Sequence, residues 1–134
     1  MSSVSEMRDR LRASLDQVVS KLEGVEESQM ELPIPRRQQP ATVRYMFYRF
    51  IAHEVEHTVQ LAKSLTSIGA VQGEAQLILR NLQASQGELE GMLVGLSDQD
   101  LDRPPAEGEW SPRQVLEHII EVHGSYTQRI QDAL

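Results

Sequence analysis

Trp110-Ser111-Pro112-Arg113-Gln114-Val115-Leu116-Glu117-His118-Ile119 writes the start of a helix more completely than any other stretch of the chain. Ser111 serves as N-cap, Pro112 fits the first helical position, and Gln114 completes a capping box with Ser111. Trp110 before the cap and Val115 four residues after it have the arrangement of a hydrophobic staple. Val115, Ile119, Val122, Tyr126 and Ile130 then recur at helical spacing, predicting a helix that runs to about Ala133.

Working back from this boundary, three more amphipathic segments follow the same period. The first, from about Ser5 to Glu23, aligns Met7, Leu11, Leu15, Val18, Val19 and Leu22. Leu32-Pro33-Ile34-Pro35 through Gln39-Pro40 cannot be helical throughout, because each proline disfavours helix at the residue before it. A long second helix is expected from about Ala41 to Ile68. Gly69-Ala70-Val71-Gln72-Gly73 then breaks the chain, and a third helix is expected from about Glu74 to Leu96. No strand candidate competes. The expected fold is all-α, a four-helix bundle in one domain over residues 1–134, with halves of about 1–68 and 74–134.

The chain has 134 residues, enough for a core without covalent staples, and no cysteine. Disulfides, thiolate zinc sites and cysteine nucleophiles are thereby excluded, so any metal rests on imidazole and carboxylate. Residues 1–6 lack the marks of a signal peptide, and no apolar run is long enough to span a membrane, so a cytoplasmic location is expected. A net charge of -7 repels phosphate backbones, which argues against nucleic-acid binding. Arg36 and Arg37 form the one dense basic spot, read as a solvated loop.

Two of the four histidines, His53 and His57, fall one helical turn apart in His53-Glu54-Val55-Glu56-His57. Residues i and i+4 share a helix face with Cβ atoms about 6 Å apart, which lets both rings reach one ion. On a wheel of about 100° per residue, Val43, Met46, Phe47, Phe50, Ile51, Leu61, Leu65 and Ile68 define the expected buried face. His57 lies within that face, His53 at its edge, and Glu54 along its middle; Glu56 points away. On the fourth helix His118 sits at the edge of the apolar face, and His123 lies roughly 140° from it, so His118 is the better third ligand.

Three neutral imidazoles leave a coordination position open, the mark of a catalytic rather than a structural site. A divalent ion held there acidifies a bound water or polarises a carbonyl. Glu54 is then the candidate base or a support for the ligands. A lone histidine beside an apolar face is more commonly a hydrogen-bonded packing residue; the i,i+4 pair, a second histidine-bearing helix and an inward glutamate together favour a site. Tyr126 and the Phe47/Phe50 pair read as core. The same residues match the zincin pattern His-Glu-x-x-His, but its extended form needs glycine and histidine where Gln60 and Lys63 stand. A di-iron site fits less well, because only Glu54 to His57 supplies its Glu-x-x-His motif.

The block His53 to Leu61 resembles the terminal helix of DinB/YfiT-like proteins, which carries His-x3-His followed by Gln and an apolar residue. Gly108 to Ile119 is similar to the family's Trp-Ser helix, and Leu93 to Pro105 to its segment between helices one and two. The resemblance implies a four-helix bundle with His118, His53 and His57 as the metal triad. It also implies a homodimer. In the family the Trp-Ser helix precedes the His-x3-His helix; here the order is reversed, so the chain looks like a circular permutation of its two halves. The alternative is that each half pairs with its complement in another subunit.

Family activities include thiol-dependent transfer and isomerisation and metal-dependent hydrolysis. The expectation is therefore a metal-dependent hydrolase or thiol S-transferase. Its substrate would be a small molecule, in the transferase case a low-molecular-weight thiol, and its metal Zn²⁺, Ni²⁺ or another imidazole-favouring ion. A non-catalytic dimeric helical bundle that binds a partner is the reading from a different class.

Overall fold

The computed structural model describes residues 1–36 and 38–134; of the basic pair noted above, Arg37 lies outside the described residues. The helices are α1 (Val4–Leu22), α2 (Val43–Ser67), α3 (Glu74–Met92) and α4 (Pro112–Ala133), with 3-10 turns at Glu27–Gln29 and Asp98–Asp102. The described chain is 70% helical with no strand, in line with the expected all-α helical-bundle class. It divides into two compact units, Met1–Gly91 and Met92–Leu134.

In the first unit, Ser3 caps α1: its hydroxyl accepts from Glu6 N–H at 3.1 Å, and the Glu6 carboxylate accepts from Ser3 N–H at 2.6 Å. Thr42 caps α2 by accepting from Tyr45 N–H at 3.2 Å. The proline loop returns onto the start of α2 through Val43 N–H to Leu32 O and Arg44 N–H to Met30 O, both 2.9 Å. Arg44 reaches back to Glu31 and to Glu27, the latter at 2.9 Å. Leu22, Val25, Ile34, Val43 and Phe47 gather around this junction, each half-buried.

α2 ends in a Schellman motif: Ala70 N–H bonds Leu65 O at 3.0 Å and Gly69 N–H bonds Thr66 O at 3.1 Å. Gly69 takes φ 69°, the left-handed conformation that this motif requires and that a side chain resists. A Cβ there meets nothing within 4 Å, so the backbone alone sets the cost of a substitution. Gly69→Val is expected to destabilise by about 1–2 kcal/mol, read as a lowered thermal midpoint in circular dichroism.

Within the first unit, the expected burial of the α2 face is reached only at the loop junction. Beyond the loop junction this face lies open, with Leu61 58% and Leu65 42% exposed. The reason is that α1, α2 and α3 do not pack lengthwise on one another; Arg12 of α1 touches Gln83 of α3 through one 3.0 Å hydrogen bond. α3 also ends four residues earlier than its apolar period suggests, because Leu96 N–H turns back to Leu93 O at 3.1 Å and Gly95 takes φ 73°.

In the second unit, the predicted capping box of α4 is present, with Pro112 at the start of the helix. Gln114 N–H donates to the Ser111 hydroxyl at 3.3 Å, and the Gln114 side-chain oxygen accepts from Ser111 N–H at 2.8 Å. Ser111 is the one buried residue among the described residues. α4 packs on the Asp98–Asp102 turn, where Arg113 forks onto the Asp102 carboxylate at 2.7 and 3.2 Å. That guanidinium holds the Asp102 carboxyl below its ordinary range. The fork fixes the turn against the first turn of the helix that carries His118.

Candidate metal centre

His53 and His57 are placed by uninterrupted α2, whose 25 residues contain neither glycine nor proline. Their ring centroids stand 4.4 Å apart at an interplanar angle of 67°, so the i,i+4 spacing brings the two imidazoles together as expected. The His57 Nδ1 lies 2.7 Å from the Gln60 side-chain oxygen. That oxygen only accepts, so Nδ1–H donates and Nε2 keeps its lone pair for another partner. This is the outer hydrogen bond that metal-binding imidazoles typically make. Sequence reading had Gln60 as part of a motif without a role; its position three residues after His57, on the same helix side, was the available signal.

Glu54 is exposed on the same helix. At about 100° per residue it lies roughly 60° around the axis from His57, flanking the pair. Its main-chain carbonyl accepts the Thr58 hydroxyl at 2.7 Å, a bond local to the helix. The shallow depression lined by Glu56, Gln60, Lys63 and Ser64 further along α2 contains no histidine.

His118 belongs to the second unit. Its ring meets Trp110 edge-on, with centroids 5.1 Å apart at 63°. Trp110, explained above by the staple alone, therefore also bears on the orientation of the third candidate ligand. The main-chain carbonyl of His123 accepts the Thr127 hydroxyl at 2.6 Å. Among the described residues no three His, Asp or Glu side chains stand together at metal-binding separation. The chemistry of the His53–His57 pair suits an imidazole-favouring divalent ion, with two of its ligands supplied by one helix.

The described chain is thus an all-α protein that presents a pair of imidazoles one turn apart on α2. Residues 81–133 match the family model of the DinB superfamily. The match contains Trp110, Ser111 and His118; His53 and His57 precede it. Comparison with curated proteins and with solved structures finds no match. No helix among the described residues is long and apolar enough to cross a membrane.

Proposed function

We propose that this chain is a DinB-type metal-dependent enzyme acting on a small molecule in the cytoplasm, with its two halves in permuted order. His53, His57 and His118 are the ligands of a divalent ion, Zn²⁺ or Ni²⁺. The single observation that carries the reading is the 2.7 Å bond between His57 Nδ1 and Gln60, which leaves Nε2 as the ring nitrogen available to a metal, in a ring whose centroid is 4.4 Å from that of His53. When bound, the ion supplies Lewis acidity for hydrolysis or for transfer of a group to a low-molecular-weight thiol. Glu54 holds or moves the proton at its carboxylate, because it flanks the imidazole pair and carries no metal itself.

The test is the metal content of purified protein after exposure to Zn²⁺. One ion per chain is expected; none, with none taken up from Ni²⁺ either, sinks the reading. Glu54→Gln separates the proposed roles: metal content stays and turnover falls by about 10²–10⁴-fold, the range typical of losing a general base. Loss of metal instead makes Glu54 a ligand. A second reading, a non-catalytic dimeric module, is favoured by the exposed apolar residues of α2, Leu61 and Leu65 among them.

A further inference from the structure

We infer that Arg49 selects the substrate: its guanidinium grips a carboxylate on the small molecule that the metal holds. This rests on the metal reading above and adds the chemical class of what is bound. Arg49, His53 and His57 all lie on one uninterrupted helix, α2, within the first unit.

α2 carries three basic residues, Arg44, Arg49 and Lys63. At about 100° per residue, Arg49 lies roughly 40° around the axis from His53, with Cβ atoms about 6 Å apart. Glu54 lies roughly 140° from Arg49, so the imidazole pair stands between a guanidinium on one side and a carboxylate on the other. Lys63 lies roughly 80° from His53 and roughly 120° from His57, in the depression shared with Glu56. Arg44 is taken up by Glu27 and Glu31 of the segment before α2. Arg49 is exposed, and its neighbours three and four residues away are Tyr45, Met46, Ala52 and His53, none of them a carboxylate. Among the described residues of its unit, no Asp or Glu pairs with it.

Side chains on a helix lean toward its N-terminus, so the patch covered by the His53 ring lies over the turn that begins at Arg49. A divalent ion on the imidazoles and the guanidinium are both positive and repel each other across this patch. An anion between them neutralises both. The planar guanidinium offers two parallel N–H donors that match the two oxygens of a carboxylate, a match that an ammonium group lacks. A chain of net charge -7 repels anions at long range, and a cation beside the metal offsets that repulsion where the substrate arrives.

Hydroxamates test this by calorimetric titration of the Zn²⁺-loaded protein. Acetohydroxamate carries only the metal-binding group; the succinic and glutaric monohydroxamates add a carboxylate on arms of different length. The wild type is expected to bind one of the two acids about 10- to 100-fold more tightly than acetohydroxamate, the gain of a charge-assisted bidentate pair. Arg49→Gln is expected to lose that preference while keeping its zinc content and its affinity for acetohydroxamate. Arg49→Lys keeps part of the preference, and Lys63→Gln keeps all of it.

A wild type without the preference, or an Arg49→Gln chain that retains it, overturns the role of Arg49 and leaves the metal reading standing. Loss of zinc in Arg49→Gln does so too, by making the residue a support of the centre, as does a bound zinc that takes up no hydroxamate. A wild type that binds no Zn²⁺ overturns the metal reading, and the selection with it.

Discussion

His57→Ala is expected to strip the protein of its divalent ion, and Gln60→Ala to weaken the same binding by about 10–100-fold without abolishing it. The two substitutions are three residues apart on α2, and both side chains are exposed in the isolated chain. Neither should change helix content much, since surface changes usually lie within about 0.5 kcal/mol. Their effects on metal differ because their roles differ. His57 offers Nε2 as the donor, while Gln60 holds Nδ1–H at 2.7 Å and so keeps that donor in the right tautomer. Gln60→Glu keeps an acceptor at the same place and is expected to retain tight binding. Titration with Zn²⁺ against a competing chelator checks the order: wild type and Gln60→Glu tight, Gln60→Ala weaker, His57→Ala without specific uptake. Equal affinity in Gln60→Ala and wild type removes the supporting role given to Gln60.

Leu61→Asp is expected to convert a dimer to monomers. Leu61 follows His57 by one helical turn and lies at the centre of the apolar strip. In the isolated chain it is 58% exposed, so a carboxylate there costs little. Covered by a second copy, the same carboxylate is desolvated without a partner, and the interface loses an apolar contact. A central interface position of this kind is worth about 2–4 kcal/mol, which raises the dissociation constant by roughly 30- to 1,000-fold. Sedimentation equilibrium at micromolar concentration reads the change directly. A wild type that sediments as a monomer, with a melting curve Leu61→Asp leaves untouched, removes the role given to a second copy.

The helix boundaries were legible because their signals are local. Ser111, Pro112 and Gln114 satisfy the first N–H groups of α4 from within four residues, and the structure carries each of those bonds. The pairing of His53 with His57 was legible for the same reason, since 3.6 residues per turn fixes neighbours i and i+4 wherever the helix lies. The end of α3 was less so. Its apolar period runs on past Met92, but Gly95 is free to take φ 73° and the turn at Leu93–Leu96 wins.

By itself, then, the sequence determined four helices, the cap of the fourth, the absence of thiol chemistry and one imidazole pair, the helical features all set by interactions within a turn or two. Only the tertiary structure decided that Gln60 grips His57, that Trp110 stands against His118, and that the apolar face of α2 lies open beyond its first turns. Periodicity shows which side of a helix is apolar, but it carries no record of which surface covers that side. That depends on contacts between residues far apart in sequence, or on different chains, where the area covered rather than the local hydrogen bond sets the free energy.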